Sequence, residues 1–187
     1  RELTLDSTAP ALIYEEGDVI KRALRDLYDR DIDEVLVEGD EAYKAAKALM
    51  RTMIPSHAKR VQKYEDTEIP LLSRYQIDQQ LDAIHEPIVQ LKSGGYIVIN
   101  PTEALVAIDV NSGRSTRERN VEQTAYRTNL EAADEVARQL RLRDLAGLIV
   151  IDFIDMDVSR NNHAVERRMK DAMKSDRARI QIGRISA

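Results

Sequence analysis

Apolar residues recur at two different spacings along this 187-residue chain. Spacings of three and four residues, typical of amphipathic helices, run through residues 18–30 and, over a longer stretch, through 121–141. Short runs of branched apolar residues at 34–38 and 148–154 are typical of buried strands. Helix-like and strand-like segments alternate between residues 18 and 64, and this order predicts an α/β fold.

The middle of the chain predicts an antiparallel meander of three strands. Strands over 88–91 and 96–100 flank the turn Lys92-Ser93-Gly94-Gly95, whose glycine pair would supply the positive φ angles of a tight hairpin. A further turn leads into the third strand, 104–110. Because helix 121–141 separates this strand from the apolar run that follows, we expect a strand–helix–strand crossover that places two parallel strands side by side.

The remaining periodic segments complete the prediction. We expect helices over 41–53, 73–84 and 161–175, and strands over 59–64 and 179–185. The break His85-Glu86-Pro87 indicates an internal boundary, which divides the chain into residues 1–86 and 87–187. Asp155 and Asp157 are expected to cap the helix that follows them, and the alternative is that they add negative field around Asp152.

The strand-like runs on either side of helix 121–141 each carry a carboxylate at or near their carboxyl end. Asp109 lies in one and Asp152 in the other, and the predicted crossover would bring the two together at the rim of the sheet. Such a pair makes a site for a hard cation, with Mg²⁺ the usual occupant when a phosphate ester is the substrate. Asn111 follows closely, and its amide can hold a carboxylate, a water or a phosphate oxygen. Acidic residues at strand ends also commonly begin loops, and that alternative stays open.

Charge is distributed unevenly along the chain. The net charge is −5, but residues 1–113 carry 13 basic against 21 acidic residues, whereas 114–187 carry 15 against 12. Arg114 and Arg117 lie just after the first candidate carboxylate and suit contacts with a nucleic-acid backbone. The alternative is that these arginines simply form a solvated, mixed-charge surface.

Composition excludes several classes of protein. The chain has no Cys, which rules out disulfides and Cys-ligated zinc within it. No apolar run reaches the roughly 18 residues of a transmembrane span, and the start does not resemble a signal peptide. Aromatic residues are only 4% of the chain, so an extended base-stacking platform is not expected. Because the chain begins at Arg1 rather than Met, we expect it to be a piece of a longer protein.

Several motifs together resemble the catalytic core of the bacterial ribonuclease E/G family. The resemblance runs almost unbroken from about residue 94 to 185, and a second similar segment covers 65–80. The motifs that carry it are Gly94-Gly-Tyr-Ile-Val-Ile, Thr102-Glu-Ala-Leu, Ala107-Ile-Asp-Val-Asn-Ser, Thr128-Asn-Leu-Glu-Ala-Ala, Gln139-Leu-Arg-Leu-Arg-Asp-Leu, Gly147-Leu-Ile-Val-Ile-Asp-Phe-Ile-Asp-Met and Asp176-Arg-Ala-Arg-Ile-Gln-Ile.

This resemblance implies a fold and an activity. The fold would be the second part of a ribonuclease H-like subdomain over 1–86, followed by a deoxyribonuclease-I-like subdomain with a mixed sheet flanked by helices. The activity would be Mg²⁺-dependent hydrolysis of single-stranded RNA, with Mn²⁺ able to substitute, leaving 5′-phosphate and 3′-hydroxyl ends. The family's two metal-binding aspartates fall on Asp109 and Asp152, and its supporting asparagine falls on Asn111.

The resemblance also sets expectations for partners and location. Single-stranded RNA is the implied partner, DNA is not, and homo-oligomers or degradosome-type proteins are further candidates. The family's zinc ligands would lie beyond Ala187, as would its dimerising domain. The implied location is the bacterial cytoplasm, with any membrane association arising through other parts of the full-length protein. We expect weak or no activity from this chain alone. A protein-binding or oligomerisation module is the first rival hypothesis, and a ribonuclease H-like nuclease acting on hybrids or DNA, which rests only on fold analogy, is the second.

Overall fold

A computed structural model describes residues 5–11, 19–113, 121–176 and 178–186. The chain forms two units, which divide between Leu81 and Asp82, a few residues before the boundary expected from the sequence. Both units combine helices with a sheet, and the predicted mixed α/β class is therefore confirmed. The likeness of the two parts to ribonuclease H and deoxyribonuclease I stays a prediction.

The first unit is built around a small parallel sheet. Its elements are α1 (Val19–Leu27), β1 (Val35–Val37), α2 (Asp40–Met53), a 3₁₀ helix (Pro55–Arg60) and β2 (Val61–Lys63). Strand β1 pairs with β2 in parallel, with Val35 opposite Val61. The helices cover the sheet through one apolar cluster, formed by Leu24, Val37, Ala46, Met50, Ala58 and Val61.

Two predictions for the region before residue 86 were wrong in detail. The strand expected over 59–64 is shorter, because its first residues belong to the 3₁₀ helix that begins at Pro55. The helix expected over 73–84 is divided into α3 (Leu71–Arg74), α4 (Ile77–Asp82) and a 3₁₀ turn (Ala83–His85). Its interruption falls at Gln76, whose φ of 56° is incompatible with a continuous right-handed helix.

The second unit contains a four-stranded mixed sheet. Its strands are β3 (Ile88–Gln90), β4 (Tyr96–Pro101), β5 (Val106–Asn111) and β6 (Ile149–Asp152), in the order β3-β4-β5-β6. The first three form the predicted antiparallel meander, and β6 pairs with β5 in parallel. The predicted strand–helix–strand crossover is therefore present, with β5 and β6 as neighbours.

Helices α5 (Val121–Leu142) and α6 (Ser159–Ala172) lie against one face of this sheet. Alternate residues of β4 and β5 point into that interface, because successive side chains of a strand face opposite sides. The resulting core includes Ile97, Ile99, Val106, Ile108, Val110, Ala132, Ala133, Val136, Ala137, Val165 and Met169. The intervening residues of the strands form the opposite face, which we call the open face.

Strand β6 is more exposed than its apolar sequence suggests. It is last in the strand order, and Val150 on the open face is 47% exposed. The strand expected over 179–185 is absent, since the described residues 178–186 form no ladder. Ile182 and Ile185 nevertheless pack against the core, so these apolar residues are buried by packing rather than by strand pairing. Within the described part of the chain, no helix is both long and apolar enough to cross a bilayer.

Candidate metal centre

The two carboxylates singled out from the sequence lie directly opposite one another. Asp109 of β5 is the register partner of Asp152 of β6. Partners in adjacent parallel strands project to the same face, and both of these side chains are exposed on the open face. Since neighbouring strands are about 4.8 Å apart, two such carboxylates can turn their oxygens toward one small cation.

Asn111 holds one of the two carboxylates. Its amide Nδ2 donates a hydrogen bond of 2.7 Å to Oδ2 of Asp109. The two residues are two positions apart on the same strand and therefore share a face. Because the amide nitrogen is used in this bond, the amide oxygen of Asn111 stays available as an acceptor or as a ligand for a cation.

Glycines allow the carboxyl end of β5 to lie against the β3–β4 turn. Gly94 has the expected positive φ, 94°, and Gly113 has a φ of 53°. A Cβ on Gly113 would lie 2.5 Å from the carbonyl oxygen of Gly94. Gly95 was expected to supply a positive φ as well, and this was wrong. It is required for space, because a Cβ there would lie 2.7 Å from the carbonyl oxygen of Asn111.

The chain just after Asp152 is fixed by a buried amide on α5. Asn129 is fully buried; its Nδ2 donates to the carbonyl oxygen of Ile154 at 2.8 Å, and its Oδ1 accepts from the Ile154 amide at 3.0 Å. This two-bond contact anchors the exit from β6 to the helix behind the sheet. This anchor was not predicted from the sequence, although a polar residue on the inner stripe of a helix is a usable signal.

Glu122 caps the amino end of α6. Its carboxylate accepts hydrogen bonds from the backbone amides of Asp157 and Val158 and from the side chain of Asn161. The bond from the Asp157 amide is the main reason that the pKa of Glu122 lies below its ordinary value. The expectation that Asp155 and Asp157 cap this helix was wrong, because the N-cap residue, Val158, makes no side-chain capping bond and Glu122 supplies the acceptor.

The donor set fits a hard divalent cation that brings other ligands with it. Among the described residues, no group of three or more His, Cys, Asp or Glu side chains is placed to hold a metal ion. Mg²⁺ needs only one or two protein carboxylates, because water and substrate phosphate complete its octahedron. Asp109 and Asp152 meet that requirement with oxygen ligands. Arg114 and Arg117, the candidate phosphate contacts, lie outside the described residues.

In the mixed sheet of the second unit, the parallel strands β5 and β6 carry opposed carboxylates on the open face. These features define an α/β protein with a candidate divalent-cation site. Comparison with known proteins narrows this class. The model of the ribonuclease E/G family matches residues 1–187, the whole chain. The chain belongs to the ribonuclease E/G family.

Individual relatives agree with this assignment. Ribonuclease E of Haemophilus influenzae is 54% identical over 178 residues, which are 95% of this chain and 19% of the relative. Ribonuclease E of Escherichia coli is 51% identical over 179 residues, 95% of this chain and 17% of the relative. Ribonuclease G of Escherichia coli is 34% identical over 175 residues, 94% of this chain and 36% of the relative. The chain therefore spans only a minor part of the length of these relatives.

Proposed function

We propose that this chain is the hydrolytic core of a metal-dependent endoribonuclease. The observation that carries the proposal is the register pairing of Asp109 with Asp152 on the open face. The names of the relatives, ribonuclease E and ribonuclease G, support RNA as the substrate. We further propose that the substrate is single-stranded and that cleavage leaves 5′-phosphate and 3′-hydroxyl ends.

Each polar residue of the site has a distinct proposed role. Asp109 and Asp152 would hold Mg²⁺, or Mn²⁺ in its place. Bound there, the ion would offset the negative charge that develops on the phosphodiester and would activate water for attack. Asn111 orients Asp109 through the 2.7 Å hydrogen bond and presents its amide oxygen to water or substrate.

The arginines after β5 are proposed to contact RNA phosphates. Arg114 and Arg117 follow Asn111 within a few residues, so the sequence places them near the carboxyl end of the strand that carries Asp109. Guanidinium groups bind phosphate oxygens in a bidentate manner and would hold the backbone while the cation binds the scissile group. The excess of basic residues over 114–187 supports this role.

The test is cleavage of a 5′-labelled single-stranded RNA by the purified chain with and without Mg²⁺. Because the chain spans less than a fifth of the length of ribonuclease E from Haemophilus influenzae or Escherichia coli, we expect slow turnover and use long incubations. Asp109→Asn and Asp152→Asn should each abolish cleavage and leave the thermal unfolding temperature nearly unchanged. The matched control is Asp155→Asn, which changes an exposed carboxylate beyond the end of β6.

The outcomes separate the enzyme from its rival. Metal-dependent cleavage that both variants lose and the control keeps supports the proposal, as do product ends that a 5′-phosphate-dependent exonuclease degrades. Full activity in either variant contradicts the assignment of the pair. If the unmodified chain binds RNA or a protein partner but never cleaves at any Mg²⁺ or Mn²⁺ concentration, a binding module is the better description.

A further inference from the structure

The open face of the second unit is organised in rows of residues that lie opposite one another. The strand register places an aromatic residue one row away from the carboxylate pair. The three rows are Gln90–Tyr96–Asn111, Ile88–Val98–Asp109–Asp152 and Asn100–Ala107–Val150. Tyr96 is thus the direct cross-strand partner of Asn111, the residue that orients Asp109.

Tyr96 differs from the other described aromatic residues of this unit. All three side chains are half-buried, but Tyr126 and Phe153 pack against the apolar core, whereas Tyr96 lies on the open face. Its ring lies next to Gly113, where an added Cβ would approach the ring Cδ1 to 3.4 Å. The residue beside the ring therefore has no side chain that could cover it.

The strand register places Tyr96 close to the carboxylate pair on the open face. Asp109 is diagonal to Tyr96 across the β4–β5 pair, and diagonal neighbours lie about 7–8 Å apart at their Cα atoms. A phosphodiester held at Asp109 and Asp152 would therefore have one of its adjoining bases near the row of Tyr96. Aromatic rings on an open sheet face are a recurrent way of stacking unpaired bases.

We propose that Tyr96 stacks on the base of the nucleotide next to the scissile phosphate and so positions that phosphate at the carboxylate pair. The inference rests on the proposed function and adds to it a positioning residue. The occupant is single-stranded RNA, because a paired base has both faces covered by its neighbours in the duplex and cannot reach the ring. The low aromatic content argues against an extended base-stacking platform but is compatible with a single stacking position.

The experiment uses short single-stranded RNAs that carry 2-aminopurine at successive positions, whose fluorescence falls when the base stacks. We expect quenching at one position in the unmodified chain and in Tyr96→Phe, and loss of that quenching in Tyr96→Leu. Removing a stacked aromatic ring should weaken RNA binding about tenfold. The matched control is Ile88→Ala, which truncates a 52% exposed residue one row away on the same face and should bind RNA normally.

An abasic nucleotide at the quenched position separates stacking from a structural role. The abasic RNA should bind the unmodified chain as weakly as Tyr96→Leu binds the intact RNA, and combining the two changes should cause little further loss. A tyrosine that only supports the fold would instead give independent, additive losses and a lowered unfolding temperature, and either result overturns the proposal.

The failure of this inference can be distinguished from failure of the proposed function. If cleavage depends on Asp109 and Asp152 but Tyr96→Leu keeps normal KM and kcat on intact RNA, the stacking role is wrong and the proposed nuclease function is still supported. If stacking is real but the chain never cleaves, the quenching and the abasic effect persist while the cleavage assay fails. A lower kcat/KM, with a raised KM and a reduced kcat, is the expected kinetic result of losing a contact that both binds the RNA and positions its scissile phosphate.

Discussion

Replacement of Asn129 by leucine tests how the exit from β6 is held. Leucine is close to asparagine in shape but has no polar atoms, so the change removes both hydrogen bonds to Ile154. The side chain at this position is fully buried, and water cannot reach it to replace the lost bonds. The Ile154 amide and carbonyl are then left without their partners in a partly buried position.

The expected loss follows from these two bonds. Each ordinary hydrogen bond contributes about 0.5–1.5 kcal/mol net, and each backbone group left unsatisfied in a buried place costs about 1–3 kcal/mol. Partial solvent access at Ile154 and the apolar surface of leucine reduce this total. We therefore expect Asn129→Leu to lower the free energy of unfolding by about 2–4 kcal/mol, which leaves a typical domain folded.

The assay is urea unfolding followed by circular dichroism at 222 nm, together with a Mn²⁺ titration of the folded variant. Mn²⁺ affinity should fall as well, because the chain after Asp152 is released from α5. Asp134→Ala on the same helix is the control; the carboxylate is about half exposed, its ion pair with Arg168 is 3.6 Å long, and its loss should cost less than about 0.5 kcal/mol. The reasoning is refuted if Asn129→Leu is as stable as the unmodified chain.

Three further changes test the packing around the site by thermal unfolding. Thr128→Val removes a buried hydroxyl that has no partner among the described residues and should stabilise the fold by about 1 kcal/mol; a lower unfolding temperature would contradict this. Gly95→Ala should cost about 1–3 kcal/mol, because its Cβ would lie 2.7 Å from the Asn111 carbonyl oxygen, whereas the control Gly183→Ala has open space and should be neutral; equal effects would show that the close approach does not matter. Glu122→Gln should destabilise the protein near neutral pH but not in acid. The lowered pKa of Glu122 gives stability that is fully present above its ordinary value of 4.5 and is lost as the pH falls through the folded pKa. The difference in unfolding temperature between Glu122→Gln and the unmodified chain should therefore disappear in acid. A difference that persists in strong acid would show that the carboxylate of Glu122 does not provide this stability.

Features that depend on local pattern could be predicted from the sequence. The hairpin turn, the long helix and the crossover each leave a periodicity or a glycine signal, and together they were sufficient to place Asp109 beside Asp152. The pairing needed no knowledge of side-chain contacts, because consecutive parallel strands joined by one helix usually become neighbours.

Features that depend on tertiary contacts could not be predicted in the same way. The apolar residues of 179–185 can be buried either by a strand or by an irregular segment that packs on the core. In the structure this segment is irregular. The cap of α6 comes from Glu122, which is far away in sequence and reaches the helix only because α5 and α6 pack together. Gly95 is a third example. A residue without a side chain is required there because β5 approaches closely, and the local sequence does not indicate that contact.

The central claim is that Asp109 and Asp152 share one divalent cation. The most direct measurement is a crystal structure of the chain grown in Mn²⁺, with the metal located by its anomalous scattering. The account predicts one anomalous peak on the open face, about 2.1 Å from a carboxylate oxygen of each residue, and its loss in Asp109→Asn. A peak bound by other side chains, or carboxylate oxygens too far apart to share one ion, would contradict it.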